Sequence, residues 1–132
     1  MTESSHPTKV IILDRERGWC ILQLPEGAVQ LDMGVTGVVF APGEFRALAD
    51  MLAQARAAPE GEAILAVGGR RRQVLFYETQ QIVVVIFGRA IIRVDRPDFA
   101  AFVRLCDRAR TLLAPLPVGA FQPPLTTRFS LC

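Results

Sequence analysis

Arginine supplies most of the side chains in this sequence that could do chemistry. Lys+Arg number 15, and every one except Lys9 is an arginine. Two groups stand near aromatic residues: Arg15, Arg17 and Trp19 in the first half, and Arg70, Arg71, Arg72, Tyr77, Arg89 and Arg93 in the second. Guanidinium groups bind phosphate oxygens through paired hydrogen bonds and stack on flat groups. A cationic groove with aromatic platforms is what a single-stranded nucleic acid requires. These residues are therefore the candidate nucleic-acid-binding set, for DNA or RNA. The plainer reading makes the Arg70–Arg72 triplet a solvated hairpin tip, with Trp19 and Tyr77 at the margin of the core.

Other chemistry finds little support. The one histidine, His6, lies in a polar N-terminal arm and gives no general base to a folded site. Cys20, Cys106 and Cys132 lack metal-ligand spacing. Their odd number suits a reducing compartment, with Cys20 and Cys106 as small core residues. Gly68-Gly69 precedes the arginines, but no Lys-Ser/Thr follows to complete a phosphate loop. Asp32, Glu78 and Asp95 read as solvated strand ends. The expectation is a non-enzymatic protein with no cofactor and no catalytic or metal-binding residues. A composition of 51% hydrophobic and 21% charged residues excludes a disordered chain. The longest apolar run, Ile82–Phe87, is too short to cross a bilayer, and the chain reads as cytoplasmic.

The elements that would position these residues occur twice. At a shift of 54 positions, Gly34–Arg56 lies on Gly88–Arg110, with Glu44 on Asp98, Phe45 on Phe99 and Leu48 on Phe102. Upstream, Val10–Leu13 falls on Ile64–Val67, and Arg15–Arg17 falls near Arg70–Arg72. Low identity with shared apolar and turn positions marks a duplicated structural unit. Strands are expected at Val10–Leu13, Trp19–Leu24, Val29–Met33 and Val35–Phe40, with Asp14–Gly18 a charged turn. Val29, Leu31 and Met33 alternate with Gln30 and Asp32, which places that pair on a solvent face. Pro42 starts a helix with Glu44 in its first turn and Phe45, Leu48 and Leu52 on one stripe. The second half repeats the order, with strands at Ala63–Val67, Val74–Glu78, Gln81–Phe87 and Ala90–Val94. Its helix follows Pro97, with Arg104, Arg108 and Arg110 towards solvent.

The fold expected is α+β, one domain over residues 1–132. It is a duplicated ββββα unit, 9–56 and 63–110, with pseudo-two-fold symmetry and one helix packed on each antiparallel sheet. Residues 115–132 form an extended C-terminal tail rich in proline yet apolar at Val118, Phe121, Leu125, Phe129 and Leu131. The tail is expected to lie on protein.

Gly37, Val38, Phe40, Phe45 and Leu48 together resemble the strand-to-helix segment of the positive cofactor four family, transcriptional coactivators that bind single-stranded DNA. That family uses a ββββα unit as a dimer, and the similar Whirly and PUR-repeat proteins place two units in one chain. The resemblance implies a single-stranded nucleic-acid-binding protein with a role as a transcriptional regulator. The lysine the family places before its glycine is absent, Val35-Thr36 standing there, while Arg89 follows Gly88 in the second unit. The alternative is a self-associating interaction or adaptor domain on the same fold, without nucleic acid. Ile82, Val84 and Ile86 face one side of a strand and Val83, Val85 and Phe87 the other, so that sheet needs cover on both sides. The expected routes to self-association are this aliphatic face or the tail. The two readings differ in whether the arginines share one surface.

Overall fold

The computed structural model describes residues 10–34, 36–113 and 126–129. The N-terminal arm with His6, and the tail positions Val118, Phe121, Leu125 and Leu131, lie outside the described residues. The first unit is β1 (Ile11–Glu16), β2 (Trp19–Gln23), β3 (Val29–Asp32), β4 (Thr36–Phe40) and α1 (Pro42–Arg56). The second is β5 (Ile64–Gly69), β6 (Arg72–Tyr77), β7 (Ile82–Phe87), β8 (Ala90–Asp95), a 3₁₀ turn (Arg96–Asp98) and α2 (Phe99–Thr111). Each unit folds as a four-stranded antiparallel meander followed by its helix, the duplicated α+β arrangement expected. β9 (Thr126–Phe129), from the tail, adds antiparallel to β4, opposite Thr36–Val39.

The helices begin where the sequence places them. Pro42 occupies the first turn of α1, where its missing N–H is no loss, and the Glu44 carboxylate accepts a hydrogen bond from the Ala41 N–H at 2.8 Å. Phe45 and Phe99, at equivalent positions, are both buried. α1 packs on α2 and reaches β5 of the other unit; α2 reaches β1. One contiguous cluster of buried side chains thus draws on both units, with the Phe40 and Phe87 rings meeting edge-on at 5.8 Å.

The gapless shift of 54 holds only from the third strand onward. There the left-handed positions recur with it: Gly27 with Gln81, and Gly34 with Gly88. Ile21 pairs with Leu31 as Val74 pairs with Val85, so β2 and β6 correspond at a shift of 53. Asp14 pairs with Ile21 as Ala66 pairs with Val74, a shift of 52. The cause is local: Leu24–Ala28 connects β2 to β3 with one residue more than Glu78–Gln81 uses between β6 and β7, and β5 carries two ladder irregularities where β1 has one. A second correction concerns Asp14 and Glu16, which extend β1 rather than forming a turn. Likewise β5 runs on to Gly69 and β6 begins at Arg72, leaving Arg70-Arg71 as the turn.

The first sheet is buried on both faces. Ile21, Val29, Leu31 and Phe40 face the helices, while Leu22, Gln30, Asp32 and Val39 on the outward side are also buried. Gln30 and Asp32 are therefore not on a solvent face. Gln30 Nε2 donates to Asp32 Oδ1 at 2.7 Å, which offsets part of the cost of burying both. Cys20 is buried and disulfide-bonded, not a free core thiol; Cys106 is free and buried. Asp32 also dictates Gly37, because a Cβ there would overlap Asp32 Oδ1 and press on Gln30 Nε2 at 3.1 Å.

Gly37→Ala is therefore expected to destabilise the protein by about 1–3 kcal/mol in urea denaturation, the usual range for overpacking. Gly43→Ala, whose new Cβ meets nothing within 4 Å, serves as the control and should not destabilise.

Candidate interaction surfaces

The outward face of the second sheet is built by strand alternation. Val74, Val83, Val85, Phe87, Ile92 and Val94 face the helices and are buried. Their neighbours along the strands point outward, and in the first unit the corresponding face holds the buried Gln30 and Asp32. Here those two positions are Val84 and Ile86, cross-strand from Arg93 and Ile91. Around them Ile64, Val67, Tyr77 and Ile91 are 57%, 60%, 48% and 64% exposed. Val84 is buried at the centre of this face, and its open apolar surface is the set of exposed side chains around it, where the polar face of the first sheet is covered.

The candidate nucleic-acid residues separate into two groups. Arg17, in the β1–β2 turn, is ion-paired to Asp98 at the start of α2. Asp98 follows directly on the end of β8 that pairs with Ile82, where the Arg96 N–H donates to the Gln81 carbonyl at 2.8 Å. Arg15 is exposed two residues before Arg17, and Tyr77 pairs with Ile82 at this same end. Trp19 is half-buried and packed against the core, its ring and that of Phe102 T-shaped at 5.3 Å. Arg70, Arg71 and Arg72 lie at the other end of the second sheet. There the Gly88 N–H donates to the Arg71 carbonyl at 2.7 Å, bringing Arg89 beside them. Arg72 covers the Phe87 ring with its guanidinium 4.3 Å from the centroid. β7 separates the two ends by roughly 17 Å, five steps of strand rise. Arg93 stands between them on the outward face, opposite Val84.

A second cluster has no counterpart in the sequence reading. Arg104 and Arg108 on α2 do not face solvent unpartnered. Arg104 Nη2 donates to Glu16 Oε1 at 2.8 Å, and Arg108 donates to Asp14 Oδ2 at 2.6 Å and to Glu16 Oε2 at 3.0 Å. Arg110 is ion-paired to Asp50 and Asp107. The signal is a spacing match: residues two apart on a strand and four apart on a helix both advance roughly 6–7 Å. These pairs fasten α2 to β1, and they occupy arginines rather than present them.

Smaller features do not make a reaction centre. A cavity of about 230 Å³, between the end of α1 and the start of α2, is lined by Arg56, Glu60, Glu62, Phe76 and Arg96 among others. That is below the roughly 300–1,000 Å³ of small-molecule sites, and Arg96 lies over the Phe76 ring at 5.5 Å. Burial pushes the Cys106 thiol far up, which leaves it inert as a nucleophile. Among the described residues no group of three or more His, Cys, Asp or Glu could hold a metal, and no helix is long and apolar enough to cross a membrane. Comparison with protein-family models, with curated proteins and with solved structures finds no match.

The Arg104 hydrogen bond, and then that of Arg108, holds the Glu16 carboxyl below its ordinary value of 4.5. A lowered folded-state value stabilises the fold above the ordinary value and is lost as pH falls through the lowered one. Urea midpoints followed from about pH 7 to about pH 3 should fall more steeply in the native chain than in Glu16→Gln. Identical pH profiles would show that the cluster does not couple to folding.

Proposed function

We propose that this chain is a non-enzymatic interaction protein that self-associates through its second sheet. The observation that carries the reading is the open aliphatic face, set against the covered polar face of the first sheet. Ile64, Val67 and Ile91 are each more than half exposed on that face, and clustered exposed apolar side chains mark interaction sites. The division of the arginines between opposite ends supports the same reading, since no one groove gathers them. Light scattering should find the native chain larger than a monomer. Ile91→Arg, which places a charge among the aliphatic side chains without touching the core, should reduce it to a monomer with an unchanged melting temperature. A native chain that is monomeric at every concentration would remove the reading.

A second reading has one observation in its favour: Arg70, Arg71, Arg72 and Arg89 meet at one end of the second sheet. It keeps single-stranded nucleic-acid binding, and with it a transcriptional role, as resemblance to positive cofactor four implies. On the self-association reading, fluorescence anisotropy detects no retention of a single-stranded oligonucleotide at low salt. Retention, with a salt slope that drops by about 0.7 for each of Arg70→Ala and Arg71→Ala, would move the function to that end. The cytoplasmic placement expected from cysteine usage is opposed by the Cys20 disulfide, which favours an oxidising compartment.

A further inference from the structure

We propose that β8 is an acceptor edge, to which a second copy of this chain adds its own β8 antiparallel, so that two second sheets continue as one. The inference rests on self-association alone and places the contact at the edge of the second sheet instead of on its open face. Among the described residues the two sheets present four original outer strands, and three are blunted or filled. β1 is interrupted between Ile12 and Asp14, and β5 at two points. Such irregularities twist an edge away from further pairing. β4 is covered by β9. β8 remains, with an unbroken ladder to β7 from Ile82–Asp95 to Phe87–Ala90 and no strand on its other side.

The repeat shows what that position accepts. β4 and β8 correspond at the shift of 54, so the stretch that β9 covers, Thr36–Val39, is matched in β8 by Ala90–Arg93. One chain has two such positions and one described tail strand to fill them. Among the described residues nothing fills the second position, and pairing β8 with β8 closes both open edges in a two-fold dimer.

Charge selects a second copy as the occupant and sets the register. Ile91, Arg93 and Asp95 are exposed along β8, with Arg89 in the preceding turn. Arg89 and Asp95 make no ion pair among the described residues. An antiparallel pair of identical strands is symmetric about one residue. Centred on Ile92, it sets Arg89 opposite Asp95 of the second copy, twice by symmetry, and Ile91 opposite Arg93. Centring on Arg93 stacks that arginine on itself, and centring on Ile91 sets Arg89 against Arg93. Opposite charges directly across a strand pair stabilise it and like charges oppose it, so the Ile92 register is the one the strand's own charges favour.

The test is sedimentation equilibrium on the full chain with four variants: Asp95→Arg, Arg89→Asp, the double Arg89→Asp/Asp95→Arg, and Val67→Asp on the far strand of the same sheet. Asp95 makes no side-chain cap to the 3₁₀ turn it precedes, so the fold should survive its replacement, and thermal melts check each variant. Either single reversal should weaken the dimer by about tenfold or more, because two attractive pairs become repulsive. The double variant should restore it, and Val67→Asp should leave it intact. A dimer indifferent to both single reversals but lost in Val67→Asp would overturn edge pairing while leaving self-association through the open face. A double variant that stays weak would overturn the register. A native chain that never dimerises would remove both this inference and the reading beneath it.

Discussion

One helix covers one face of a four-stranded sheet, and the described residues of this chain form two sheets and two α-helices. The duplication therefore solves half of its burial problem: both inner faces close against α1, α2 and each other, and both outer faces are left over. The two outer faces then take opposite courses. In the first sheet the outward side is buried although it carries Gln30 and Asp32, whose mutual hydrogen bond and the bare backbone of Gly37 let a carboxylate sit inside. In the second the outward side buries Val84 at its centre but leaves Ile64, Val67 and Ile91 exposed around it. The asymmetry between two copies of one unit, rather than any cleft, is the most informative feature of the surface.

Much of the architecture was legible because it rests on local patterns. The Pro42 and Pro97 helix starts, the Phe45–Phe99 equivalence and the two-sided character of Ile82–Phe87 follow from spacing alone. The failures share a cause: each depends on a partner distant in the chain. Asp14 and Glu16 look like a turn until Arg104 and Arg108 supply their counter-charges from about 90 residues away. Gln30 and Asp32 look solvated because period-two alternation reports polarity and cannot report cover. The slipped register of the first two strands was hidden because the extra residue lies in the Leu24–Ala28 connection, outside the strands, so Ile21 and Val74 keep the same inward face at a shift of 53.

The candidate site was legible as residues and not as a surface. Arg70, Arg71, Arg72 and Arg89 do meet, because adjacent hairpin turns lie at the same end of a meander. Arg15 and Arg17 do not join them, because Arg17 is tied to Asp98, beyond the opposite end of β8. Trp19 and Arg72, the most suggestive members of the set, are engaged with Phe102 and Phe87. A composition rich in arginine thus serves internal pairing as much as any outside partner, which no count of basic residues could reveal.

The exchange of helices between units also constrains how the chain reaches its native state. β1 is finished against α2, which arrives last among the helices, and β5 is finished against α1. Neither repeat carries its own complete cover, so the first is not a folding unit that can wait, closed, while the second is synthesised. The Arg108–Asp14 and Arg17–Asp98 links join residues 94 and 81 apart. Contacts of that separation require large loops to close before they contribute, which slows folding relative to local helical contacts. During translation the N-terminal hairpin must therefore stay unassociated until the second helix has emerged, a long exposure for strands made of Ile, Leu and Val.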